Sequence, residues 1–151
     1  MHEHPVGEAA WHAMFPSISA YCNAGFSTFS DSLIGAQQSP AVLLSIMALV
    51  ITGGLGFLTL EEFAHRRRTS ASLRRQRLST HSRLVIATTA ALLLGGWGAF
   101  ALFEWDHALG GLPIGDKVVN ALFMSVTPRT AGFNTIDYTQ ATPSTNFLTV
   151  I

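Results

Sequence analysis

At 151 residues the chain is long enough for one small soluble domain, but 48% hydrophobic against 12% charged residues, with a mean hydropathy of +0.34, is too apolar for that class. Formal net charge is zero, yet seven of the nine Lys and Arg residues lie between Arg66 and Arg83, so the basic signal is local. The single cysteine, Cys22, excludes an internal disulfide framework, and Met1-His-Glu-His-Pro lacks the basic flank and apolar run of a signal peptide.

In chain order, His2, Glu3, His4 and His12 do not have the spacing that fixes metal ligands on one helix face, and they read as a polar terminus. Trp11 to Ala24 (WHAMFPSISAYCNA) is apolar enough to enter a membrane but too short to cross it, and it runs into Gly25-Phe26-Ser27-Thr28. Pro16 is expected to shorten or kink a helix there. From Ser32 to Leu60 no residue is charged, and a transmembrane helix is expected over about 40–62, with Ala41 to Leu60 as its apolar centre. Glu61 and Glu62 are expected at the inner headgroup level, paired with Arg66 or its neighbours.

The basic run 65–83 comes next. It is short and lies between two apolar segments, where the positive-inside bias acts, so it is expected in the cytoplasm. It has no aromatic interleaving, which speaks against nucleic-acid binding. A second transmembrane helix is expected over 84–103 (LVIATTAALLLGGWGAFALF). Gly53, Gly54, Gly56, Gly95, Gly96 and Gly98 are read as small residues that let helices approach closely in lipid. Glu104, Trp105 and Asp106 read as an outer interface anchor, with Trp97 near the aromatic belt.

Val118 to Ala131 (VVNALFMSVTPRTA) repeats the build of the first short segment and runs into Gly132-Phe133-Asn134-Thr135. Ala24-Gly25-Phe26 matches Ala131-Gly132-Phe133 at an offset of 107 residues, Thr28 matches Thr135, and Asp31 and Asp137 follow. With a crossing in and a crossing out between them, both copies start from the same side. Non-helical backbone at membrane depth is tolerated only when buried in protein or facing a watery cavity. A glycine turn after a half-membrane helix therefore has to face something polar. A partly dehydrated cation is the obvious candidate, held by main-chain oxygens, and the C-terminal end of each short helix adds partial negative charge beneath it. The plainer alternative is a pair of extracellular helices with glycine C-caps. Arg129, a permanent charge three residues before Gly132, must be paired or solvated; the leading expectation is that it braces the loop through Asp137, the other that it snorkels to the outer surface.

Ser17-Ile-Ser-Ala-Tyr-Cys-Asn-Ala-Gly-Phe-Ser with Asp31-Ser-Leu resembles the second pore loop of the Trk/Ktr/HKT potassium-transporter superfamily, and Ser125-Val-Thr-Pro-Arg-Thr-Ala-Gly-Phe-Asn-Thr-Ile-Asp137 resembles its third. Ile51-Thr-Gly-Gly-Leu-Gly-Phe57 is similar to the span after the second loop. The resemblance implies an all-α membrane fold of four repeats, each helix, re-entrant pore loop, helix, around one pore. It makes Gly25 and Gly132 filter glycines, with the carbonyls of Asn23, Ala24, Gly25, Thr130, Ala131 and Gly132 as ion ligands and Phe26, Phe133, Arg129 and Asp137 as filter support. It also implies a homodimer, a cytosolic nucleotide-binding regulatory ring, K⁺ as the permeant ion and no covalently bound cofactor.

The expected organisation is a pore loop over 11–31 and a span in 1–64, the cytoplasmic linker 65–83, and in 84–151 a span, a pore loop over 117–137 and the start of a further helix. With two of the four loops that the resemblance implies, the chain is expected to be a truncated gene product, an open-reading-frame fragment or a piece of a longer chain, in a multi-pass protein of the plasma membrane. No hydrolase elbow, zinc-protease helix or phosphate loop is present, so no enzyme is expected. The rival readings are a non-conducting packing module, an inactive fragment, or a Na⁺-permeable member of the same superfamily.

Overall fold

The computed structural model describes residues 6–68, 78–128, 131–139 and 141–150, and every regular element among them is helical. Helix α1 is Val6–Tyr21, and it continues through Pro16 to five residues beyond it, so the expected shortening at that proline does not occur. A single 3-10 turn, Ile34–Ala36, leads to α2, Pro40–Gly54, which starts on a proline whose missing N–H would have had no helical partner.

The helix expected over 40–62 is divided. After Gly54 the chain passes through Leu55 and Gly56, the latter at φ +79°, and turns by 98° into α3, Phe57–Arg68. At 1.5 Å per residue α2 is roughly 22 Å long, short of the ~30 Å hydrocarbon thickness. Helix α4, Thr80–Glu104, contains the whole second expected span. Among the described residues it is the one unbroken helix long and apolar enough to cross a membrane, and only 11% of its most apolar stretch is buried in the chain. Leu84, Leu92, Leu94 and Leu102 are all exposed, an apolar surface that calls for lipid or further protein to cover it.

Helix α5, Ile114–Val126, lies between α4 and α2, and α1 packs on α2. One core gathers Leu43, Ile46, Met47 and Val50 of α2, Phe123 and Val126 of α5, and Phe133 beyond it. A second joins Phe100 of α4 to Ala121 and Met124 of α5, Leu109 and Ile136. The α4–α5 contact is closed by Gly96, where a methyl group would come within 2.5 Å of the Ser125 hydroxyl, and by Ser125 Oγ donating to the Leu93 carbonyl at 2.8 Å. At Gly53 a methyl group would overlap the Tyr21 carbonyl of α1. Gly95 and Gly98 face open space, as does Gly56, so of the glycines read as packing residues these three have no such contact among the described residues; Gly56 is instead set apart by its positive φ.

Two carboxylates hold the starts of later helices. Glu62 accepts from Ser79 N (2.8 Å), Ser79 Oγ (2.9 Å) and Ser82 Oγ (2.6 Å), at the N-cap of α4. Arg66, its expected partner, has its side chain outside the described residues. Glu104, expected as an outer anchor, is instead fully buried, because one carboxylate oxygen accepts from Thr142 N (2.9 Å) and Oγ1 (2.8 Å) at the start of α6, Pro143–Val150, and the other from Ala108 N (3.2 Å). Each carboxylate supplies the acceptors that a helix's first turn lacks.

Candidate functional site

The site grows from the ends of α1 and α5, which are roughly 24 and 20 Å long at 1.5 Å per residue. Beyond α1 the chain takes a left-handed residue at Asn23 (φ 51°), one of the few non-glycine types that tolerates it, while Ala24 N donates to Ser19 O at 2.9 Å. Gly25 follows at φ +73°. Beyond α5, Ala131 N donates to Thr127 O at 3.0 Å, and Gly132 has the same φ of +73°. A side chain at either position would be strained.

The two turns, 107 residues apart in the sequence, meet in space. A methyl group on Gly25 would lie 2.8 Å from the Ala131 carbonyl oxygen and 2.8 Å from Gly132 Cα, and one on Gly132 would lie 3.0 Å from Gly25 Cα. The backbones touch, and only a pair of glycines allows it. Of the residues singled out from the sequence, Asn23, Ala24, Gly25, Ala131 and Gly132 are thus brought into one neighbourhood. Thr130 and Arg129 lie outside the described residues, and with them the expected Arg129–Asp137 brace. Asp137 Oδ1 accepts from Thr139 N (2.9 Å) and Thr139 Oγ1 (2.7 Å) in a local turn.

The matched phenylalanines differ. Phe133 is fully buried in the α2–α5 core, whereas Phe26 is 66% exposed. The turn at Gly132 (loop 2, 117–137) is therefore packed through its phenylalanine, and the turn at Gly25 (loop 1, 11–31) is not. On the loop 1 side, His12 Nδ1 lies 2.8 Å from Thr28 Oγ1 and the ring stacks on Phe29, tying the chain after the glycine back to α1. His12 has this structural place, and no His/Cys/Asp/Glu metal cluster occurs among the described residues.

The carbonyls after Gly132 are occupied in succession. Phe133 O accepts from Thr127 Oγ1, Asn134 O from Leu33 N at 2.9 Å, and Thr135 O from Gln37 Nε2. Asn134 N in turn donates to Ser32 Oγ at 3.0 Å. None of Thr127, Ser32, Gln37 or Asn120 was singled out from the sequence. The one usable signal was Asn120, a polar residue in the middle of a short apolar helix.

The described elements are all helical, with an uncovered apolar helix packed on one of two short helices whose glycine turns touch, an arrangement consistent with an α-helical membrane protein. Residues 5–151 match the TrkH family, described as cation transport protein, and the chain belongs to that family. It is 35% identical to the potassium/sodium uptake protein NtpJ of Enterococcus hirae over 93% of its length. To the Ktr system potassium uptake protein B it is 37% identical in Vibrio alginolyticus over 91% of its length, and 38% identical in Bacillus subtilis over 83%. It spans 30%, 31% and 27% of those three relatives. The family is one of transporters rather than enzymes, and its members act in membranes.

Proposed function

We propose that the chain contributes two re-entrant pore loops to a potassium uptake pore, in which backbone carbonyls of Asn23, Ala24 and Gly25 and of Thr130, Ala131 and Gly132 coordinate the dehydrated ion. The meeting of two glycines with identical φ at matched places of an internal repeat carries this reading. So close an approach of the two backbones leaves no room for an ion between the glycines, so the ion axis runs beside them, with the other sectors supplied by the rest of the parent protein. Engagement of the carbonyls at 133 to 135 limits the free ligands of loop 2 to the turn itself. Phe26, Phe133, Arg129 and Asp137 support the loops. In this reading residues 65–83 are cytoplasmic, the parent is a plasma-membrane homodimer, and a cytosolic nucleotide-binding ring regulates it.

A Na⁺-permeable pore is the second reading, favoured by the E. hirae relative, whose name carries both ions. Gly25→Ser and Gly132→Ser in the complete parent protein test the proposal. Either substitution is expected to lower the K⁺/Na⁺ flux ratio, per protein in the membrane, before abundance falls. An unchanged ratio in both variants would mean that the turns are helix caps and the chain a packing module.

A further inference from the structure

Asn120 is fully buried in α5, and its amide nitrogen lies 2.8 Å from two acceptors, the carbonyls of Gln37 and of Asp116. Both partners accept only, so the amide orientation is fixed: the NH₂ group faces them. Gln37 sits just past the 3-10 turn in the segment that leaves loop 1. Its own side-chain NH₂ donates to the carbonyl of Thr135, three residues past Gly132. Asn120 thus fixes the backbone of Gln37, and the Gln37 side chain fixes the backbone of loop 2.

From these contacts we infer that Gln37 and Asn120 are positioning residues for ion selectivity, a donor relay that sets the height of the Gly132 turn by holding Thr135 O from behind. The inference rests on the reading of Gly132 as part of the ion site. Asn134 is pinned to Ser32 and Leu33, and Phe133 O to Thr127, so Thr135 O is the last anchored carbonyl before the Asp137 turn. Without the Gln37 donor, the stretch after Gly132 keeps its two ties at Asn134 but loses the third, at Thr135, and the turn is held less firmly against the segment that follows Gly25. Thr135 is 1% exposed, so its carbonyl has little water to replace the lost partner. The internal repeat places Ala13 where α5 has Asn120, so loop 1 has no such relay of its own.

The test uses the full-length parent protein and reads the K⁺/Na⁺ flux ratio at equal protein in the membrane. Gln37→Met keeps length and removes the donor; Gln37→Glu keeps shape and replaces the donor with a carboxylate; Asn120→Leu removes the upstream anchor. Each is expected to lower the ratio severalfold, and the Gln37→Met/Asn120→Leu double variant to be no worse than the stronger single variant, since one relay is broken once. Gln37→His, which keeps a ring N–H donor at comparable reach, is expected to restore most of the ratio. If the ratio is unchanged in both Gln37→Met and Gln37→Glu while Gly132→Ser lowers it, the relay is only structural and the inference is wrong. If Gly132→Ser also leaves the ratio unchanged, the filter reading has failed and takes the relay with it.

Discussion

Gly53 and Gly96 make the close approaches that Gly95 and Gly98 do not. At Gly53 the neighbour is the Tyr21 main chain, which cannot rotate away, and at Gly96 it is a serine already bonded to Leu93 O. Alanine at either site should overpack by about 1–3 kcal/mol. Alanine at Gly95 or Gly98 meets nothing and gains helix propensity, on the order of 0.5–1 kcal/mol. Thermal melting of the detergent-purified parent should therefore show Gly53→Ala and Gly96→Ala lowered and the other two unchanged or raised, with the K⁺/Na⁺ ratio of the surviving protein the same for the variants at Gly95, Gly96 and Gly98; Gly53 also lies against Asn23 and is left out of that comparison. The contrast separates packing glycines from Gly25 and Gly132, whose substitution is expected to act on the ratio first. Sequence alone marked all of these glycines as special. It could not sort them, because whether a glycine is needed depends on what lies within 4 Å of it.

At the scale of elements, the two carboxylate clasps are the features least visible beforehand. Glu62 lies beside a basic run and Glu104 beside a tryptophan and an aspartate, and both neighbourhoods read naturally as interface. The structure carries each side chain to the first turn of a helix beginning 17 or 38 residues later. Glu104→Ala leaves the N–H groups of Ala108 and Thr142 without their acceptor in a part-buried setting, at roughly 1 kcal/mol or more for each donor. Glu62→Ala leaves the N-cap Ser79 in place and removes the acceptor of Ser79 N and of the Ser79 and Ser82 hydroxyls, a loss of about 1 kcal/mol. Unfolding of the purified parent should rank them in that order, and equal losses would show that burial of Glu104 is not what matters. Helix α4 and the short helices α1 and α5 were legible because a run of apolar residues needs no partner to declare itself. The break between α2 and α3 was not, since hydropathy stays high on both sides of Leu55 and Gly56. Gln37 and Asn120 gave little warning either: they are 83 residues apart and belong to no common pattern.

For the whole molecule, the proposed pore has the two loops filling part of a ring. The 151-residue chain expressed in a K⁺-uptake-deficient host is expected to give no uptake, because loop backbone without neighbours on its open side cannot replace an ion's hydration shell. Rescue would require copies of the chain to assemble and supply the missing loops, which crosslinking would reveal. The repeat and the shared side of the two turns were readable from matched residues; that the turns touch was not, since a repeat specifies equivalence and leaves the distance between its copies open.

The seam between the loops also sets an order of events in the cell. Leu33 and Ser32 bond to Asn134, and Gln37 to Thr135, across about a hundred residues. At roughly 5–20 residues per second, a ribosome takes on the order of 5–20 s to make that intervening stretch. Throughout that time loop 1 has left the ribosome with its polar backbone and no partner from loop 2. With the loops re-entrant as proposed, loop 1 has to wait where water or the insertion machinery can solvate it, and would reach its final depth only when Gly132 arrives.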